Sequence, residues 1–270
     1  MDNIIHSEEA VLDGELHPIS IGDDYTRFVL CFPYSRCDEL GYRIEELIRS
    51  GFTYFVEKGS NVLGYKIIGK GYSSINVLAI NKYYGLGLIK IRRIDSRRRT
   101  LEYEGMILDF LDITGYVPRL YMWSKDYVFR EYLHNCLSID KALLKSIEEN
   151  EVDKTMNIIR KTLSALYLID KLGIDHSELN RPYNHIYWCR GYSVKIIDWE
   201  SSRLRRKPHN LTSFVSFLVY RFKKKPFSEL FEDIRGEVFQ LLKKYKSRPS
   251  AILLKTIIRL LEKQLVLLHS

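Results

Sequence analysis

Three short stretches of this 270-residue chain carry residue types suited to phosphate: GKGYSS from Gly69 to Ser74, GLGLIKI with Lys90 near its end, and VKIID closing on Asp198. Glycines in a turn let backbone N–H groups approach anionic oxygens with no Cβ in the way. A lysine within an apolar strand supplies fixed positive charge. A carboxylate that ends a buried strand needs a counter-ion, which a divalent cation provides.

The glycine turn lies between the strand-like runs VLGYKII and NVLAI, so Gly69, Gly71, Ser73 and Ser74 sit in a strand-to-strand hairpin. That setting disfavours a Rossmann dinucleotide site or a P-loop, where the glycines must open a helix. A tight turn with no ligand has the same composition. Lys90 is flanked by apolar residues, and burying its ammonium unpaired would cost several kcal/mol as an order of magnitude. Its expected partner is Glu104. In a helix from Thr100 to Leu111, Leu101, Glu104, Leu108 and Leu111 fall within about 80° of one another and face inward together. The alternative is a strand-edge lysine that reaches water.

The loop GIDHSELNRPYNHIYW, from Gly173, is where a base and a second metal ligand are expected. Two registers are open. In one, His176-Ser177-Glu178 carries the base and Asn184 or His185 meets the metal. In the other, Asp175 is the base and Asn180 the ligand. The distance back from Asp198 favours Asn184 or His185 for the metal, and the base stays open between Asp175 and Glu178. Glu200 either joins the metal or pairs with a nearby arginine.

Positioning these groups requires a strand-rich segment followed by a helix-rich one. Runs FTYFVE, VLGYKII, INVLAI and GLGLIKI, then RLYMWS and YVFREYL about a turn at Lys125 and Asp126, predict a small antiparallel sheet with one helix over 52–132. Helices are predicted over Ser138–Glu149, Val152–Leu172, Leu211–Phe222, Phe227–Tyr245 and Ala251–Leu268, interrupted by the strands HIYWC and SVKIID. Residues 1–51 read as an N-terminal extension packed on the small lobe. It carries a short strand near Arg27–Phe32 and an amphipathic helix over Asp38–Ile48, stopped at Ser50 and Gly51. The class is α+β with two lobes, 52–132 and 133–270.

Composition excludes several other classes. A content of 46% hydrophobic and 28% charged residues argues against disorder. The opening MDNIIHSEEAVLDGEL lacks the basic and apolar regions of a secretory leader. The most apolar stretch, Ala251–Leu268, is broken by Lys255, Arg259, Glu262 and Lys263, so no membrane association is expected. Cys31, Cys37, Cys136 and Cys189 show no metal-ligand spacing, and the expectation is a reduced, cytoplasmic protein with buried free thiols. Glutamine occurs only at Gln240 and Gln264 in a chain rich in Lys, Arg, Glu and Ile, a thermophilic bias. The formal charge of +8 allows anionic partners. Arg92, Arg93, Arg97, Arg98 and Arg99 form one basic cluster; Arg203, Arg205, Arg206 and Lys207 form another. Each is either a solvated surface or a contact for RNA or a ribonucleoprotein.

Taken together, GKGYSS, LIKIRRIDSRRRTLEYE, DHSELNRPYNHI and KIIDWESSR resemble a family of predicted archaeal serine/threonine kinases, related at a distance to the RIO-type and other small atypical kinases. The resemblance covers roughly Tyr54 to Phe222. It implies a two-lobed kinase fold, ATP with Mg²⁺, and phosphorylation of a hydroxyl, with Ser or Thr of a protein, or of the chain itself, as acceptor. It places phosphate contacts on Gly69, Gly71, Ser73 and Ser74, the nucleotide lysine on Lys90, its partner on Glu104, the metal aspartate on Asp198, and an adenine-binding hinge on Glu131 to Leu133. The sequence departs from the pattern at DWE, which stands where DFG is usual, and no APE segment follows. An ordinary peptide-docking activation loop is therefore not expected, and a small-molecule kinase, an ATPase or an inactive nucleotide-binding scaffold are the alternatives.

Overall fold

A computed structural model of the chain describes residues 13–225 and 227–267. The opening residues through 12, and with them most of the segment read for a leader, lie outside the described residues. The chain divides into two compact units, 1–134 and 135–270. It is a mixed α/β protein whose sheets are antiparallel.

In the first unit, strands β1 (Glu15–Pro18), β2 (Phe52–Glu57), β3 (Ser60–Val62), β4 (Tyr65–Ile67), β5 (Gly69–Lys70), β6 (Ser74–Asn81), β7 (Gly85–Arg92), β8 (Leu120–Trp123) and β9 (Tyr127–Arg130) follow in chain order. The main sheet runs β1-β2-β6-β7-β9-β8, with β5 paired to β6 and β3–β4 forming a separate hairpin. Alternation along β7 sends Ile89 and Ile91 into the larger core, with Phe55, Val77, Ala79 and Phe129. Leu88 instead joins Val56 and Leu78 in a smaller cluster flanked by Ile68, Ile80, Leu86 and Tyr132. Lys90 shares the parity of Leu88.

Residues 13–51 are built into this unit. β1 pairs with β2 at the sheet edge, and Tyr25, Phe28, Val29 and Leu47 belong to the larger core. The run expected as a strand near Arg27–Phe32 is the second half of a helix, Asp24–Cys31. Its β-branched and aromatic residues suit a strand, but Asp23 caps the helix by accepting from the Thr26 N–H, and Tyr25, Phe28, Val29 and Phe32 fall on one helical face. Buried Arg43 ties the segment to the sheet, donating to the carbonyls of Leu30 and Arg92 and pairing with Asp126.

The second unit holds helices Ile139–Glu148, Val152–Lys171, Asn210–Ser216, Phe227–Leu230, Arg235–Ser247 and Ala251–Leu267. The expected helix over Leu211–Phe222 changes to a π turn at Phe217–Arg221, and the one over Phe227–Tyr245 is broken between Leu230 and Arg235. The hairpin Ile186–Cys189/Ser193–Ile196 is extended by Leu137–Ser138. A short ladder unforeseen in sequence joins Ile174–Asp175 to Arg203–Leu204. Among the described residues no helix is long and apolar enough to cross a membrane.

The cysteines are not free thiols. Cys31–Cys37 and Cys136–Cys189 are disulfides. Sequence spacing carries no signal for the second pair, because its partners are 53 residues apart and meet only when Leu137–Ser138 pairs with the strand that ends at Cys189.

Candidate functional site

In unit 1–134 the glycine turn is a tight hairpin, closed by Gly71 N–H donating to Ser74 O at 2.8 Å. Tyr72 at its tip is 98% exposed, whereas Ser73 and Ser74 are buried. A Cβ on Gly69 or Gly71 would meet its nearest neighbour at 3.5 Å, ordinary van der Waals contact, and neither has a positive φ. The turn itself therefore does not demand glycine at either position; close approach by something outside the chain would. Arg93 braces the loop, donating to Gly71 O at 2.9 Å and pairing with Asp95.

Lys90 and Glu104 are both buried, and Lys90 Nζ lies 2.7 Å from Glu104 Oε2. The helix Glu102–Asp112 brings the carboxylate there, and Gly105 lets it come close. A Cβ at Gly105 would stand 2.5 Å from the Trp123 ring. An isolated glycine inside a helical pattern, at a cost of about 1 kcal/mol against alanine, is the sequence signal for this residue. At the expected hinge, the Glu131 N–H already donates to Arg119 O at 2.8 Å, and Leu133 is half-buried.

The first arginine cluster is divided. Arg92 is buried against Asp126, with Nε 2.5 Å from Oδ1, and also reaches Glu39. Arg93 is committed to Asp95 and Gly71, which leaves Arg97 and Arg99 as the exposed members.

In unit 135–270, Asp198 follows strand Ser193–Ile196 in a left-handed backbone conformation, φ 68° and ψ 64°. Asp tolerates this region better than most residues, and occupying it next to charged groups is a mark of functional sites. Trp199 behind it is buried and donates from Nε1 to Ile196 O. Asp198 Oδ2 stands 3.9 Å from His185 Nδ1, and His185 Nε2 is 3.6 Å from Glu178 Oε2. Donor atoms of Glu178, His185 and Asp198 all lie within 4.8 Å of one another, a spacing that fits one cation. Two carboxylates suit Mg²⁺, while the imidazole suits Mn²⁺ or Zn²⁺ better. Asn184 is exposed in the turn Pro182–Asn184, and its side chain lines a different cavity with Cys136 and Tyr187.

Asp175 is buried and fully engaged. Oδ1 accepts from the Ser177 N–H and hydroxyl, and Oδ2 accepts from the His209 N–H and lies 2.9 Å from His209 Nδ1. Burial pushes its carboxyl up, but hydrogen bonds from His209 and Ser177 and the charge of Arg205 outweigh this and hold it below the usual range. With about four acceptor positions on a carboxylate, no capacity is left for a substrate hydroxyl. Glu178 is 41% exposed at its side chain.

Asp170, Asn210 and His209, none of them expected from the sequence, hold this loop. Asn210 Oδ1 accepts from the His176 N–H, and its amide donates to Asp170 Oδ1 and Ile174 O. Asp170 also accepts from the Leu211 N–H and the Tyr245 hydroxyl; burial, against those hydrogen bonds, pushes its carboxyl up to about 6. Burial likewise brings His176 down to about 4, despite its contact with Ile197 O, so its ring is neutral at pH 7. A carboxylate seven residues after Leu163, on the apolar face of Val152–Lys171, was the available sign for Asp170.

No protein-family model matches this sequence, and no curated protein matches it. Among solved structures, the chain has a partial likeness to a Stt7 homolog from Micromonas algae soaked with ATP, at 15% identity and TM-score 0.41. The likeness covers 51% of this chain and 49% of that one, so it spans about half of each. At that TM-score it decides neither fold nor function.

Proposed function

We propose that the chain is an atypical protein-kinase-like phosphotransferase that uses ATP and Mg²⁺. The observation that carries this reading is the buried Lys90–Glu104 pair, on the strand that follows a hairpin whose glycines the turn does not require. A lysine held rigidly by a carboxylate is a fixed cation for phosphate oxygens. Asp198 and His185 would hold the metal, whose charge would offset that of a phosphoryl group. Glu178, with acceptor capacity that Asp175 lacks, takes the proton of the acceptor hydroxyl. Asp175 positions the loop, and Leu133 offers the adenine-directed backbone.

The acceptor is a Ser or Thr hydroxyl of a protein or of the chain itself. A small-molecule acceptor is the second reading, favoured by the short segment between Asp198 and the helix that begins at Asn210. A cytoplasmic site in a thermophilic archaeon accommodates the two disulfides, since intracellular proteins of hyperthermophiles are rich in them.

The test is incubation with γ-labelled ATP and Mg²⁺, following label on protein and released ADP, beside Lys90→Arg, which keeps a cation opposite Glu104, and Asp198→Asn. Label transfer that both variants lose supports a kinase. Unlabelled protein with ADP and free phosphate points to an ATPase. Absence of both products in the wild type would overturn catalysis and leave a nucleotide-binding scaffold.

A further inference from the structure

Unit 135–270 contains a second polar cavity, of about 540 Å³, that shares no residue with the Glu178–His185–Asp198 cluster. Its volume is in the range of small-molecule sites, roughly 300–1,000 Å³. Those sites are mostly apolar, and this one is not. Arg205, Arg221 and Lys246 line it, and among its described lining residues the one carboxylate is Asp175. That carboxylate is already answered, with Oδ2 3.8 Å from Arg205 Nε and hydrogen-bonded by His209. The cavity therefore keeps an excess of positive charge. Gathering like charges without an anion is unfavourable, and an anionic ligand removes that cost.

The wall is fixed from several directions. Arg205 follows the short strand Arg203–Leu204 and donates its N–H to Gly173 O at 2.8 Å. Arg221 ends the π turn and donates from Nη2 to Ser213 O at 3.1 Å. Lys246 projects from the last turn of Arg235–Ser247. Ser177, Thr212, Ser213 and Ser216 also line it, beside Leu179, Asn180, His209 and Asn210, and Ser177 occupies a left-handed conformation, φ 69°. Guanidinium, ammonium and hydroxyl donors around a compact polar space match the tetrahedral, multiply charged oxygens of a phosphate group.

We propose that this cavity binds a small phosphate monoester, with its phosphate seated among Arg205, Arg221 and Lys246. This site requires no ATP, so its test is independent of turnover. Inorganic phosphate and glycerol phosphate, as probes, would be titrated into the full chain without nucleotide and followed by calorimetry. At least one should bind with a Kd below about 1 mM. Tighter binding of the monoester identifies an organic phosphate as the ligand, and equal binding identifies the phosphate group alone as sufficient. Lys246→Glu, at an exposed position, should weaken binding at least about tenfold, as should Arg221→Met. Arg221→Lys, which keeps the charge, should retain most of it. Failure of both probes to bind at about 10 mM, or binding unchanged in Lys246→Glu and Arg221→Met, would overturn the site.

Discussion

Lys90 Nζ and Glu104 Oε2 meet at 2.7 Å inside a unit where both residues are buried, and the adjacent Gly105 lets their helix lie against the Trp123 ring. Removing one member of a buried pair strands the other's charge at about 3–5 kcal/mol, whereas replacing both with apolar residues removes that penalty. Lys90→Met and Glu104→Leu should each be strongly destabilised, and the double variant should be more stable than either single one. Denaturant unfolding of the three proteins decides it; additive losses would mean that the pair is not a coupled unit. Gly105→Val, pressed against the Trp123 ring, should weaken nucleotide binding even though it touches neither charge.

The donor set around Asp198 makes a metal-specific prediction. Because His185 contributes an imidazole, Mn²⁺ should bind more tightly than Mg²⁺, and His185→Ala should lose more Mn²⁺ affinity than Mg²⁺ affinity. Titration of Mn²⁺ by electron paramagnetic resonance, with Mg²⁺ as competitor, measures both. Glu178→Gln separates the roles open to that residue. As the base, it should lower kcat by roughly 10²–10⁴-fold with metal affinity kept. Loss of metal affinity instead would make it a ligand. Asp198→Asn should fold normally, since Asn also tolerates the left-handed region, and should lose the metal.

Much of this was legible because it is local. Lys90 and its partner Glu104 could be read from strand alternation and helical phase, both properties of short windows. The strand that leads into Asp198 and its hairpin partner Ile186–Cys189 were legible for the same reason. The loop between Asp175 and His185 was not, because its geometry depends on Asp170, His209 and Asn210, the last two more than 30 residues further along. Which oxygen is occupied follows from those distant donors, so sequence alone left the base open. Arg92 and Arg93 looked like surface charge by composition, and Asp126, Asp95 and Glu39 take them out of solvent. The Asp24–Cys31 helix was misread because its apolar run outweighed the cap at Asp23.

Asp170 and His176 give opposite pH dependences in the same interval. Asp170, raised to about 6, stabilises the fold most fully below the ordinary carboxylate range and loses that contribution as pH rises through 6. His176, lowered to about 4, stabilises it above pH 6.5 and loses that as pH falls through 4. Each shift amounts to about 3 kcal/mol, and the two largely offset one another between pH 4 and 6.5. His176→Gln, whose amide can still reach Ile197 O, should unmask Asp170 and become more stable on acidification from pH 7 to about 4.5. Urea unfolding across that range measures it, and a profile matching the wild type would show that the two groups do not oppose one another.

The Cys136–Cys189 bond closes a loop of 53 residues' separation, against 6 for Cys31–Cys37. In the chain-entropy account, stabilisation grows with loop length, giving about 4 kcal/mol for the long loop and about 2 kcal/mol for the short one. Cys136→Ala with Cys189→Ala should therefore lower stability more than Cys31→Ala with Cys37→Ala. Because the strand ending at Cys189 begins immediately after His185, the former pair should also weaken Mn²⁺ binding, which the latter should leave unchanged. Thiol titration of the unfolded, unreduced protein comes first. Four reactive thiols would mean that neither bond forms, and none would mean that both are present before stability and metal affinity are compared.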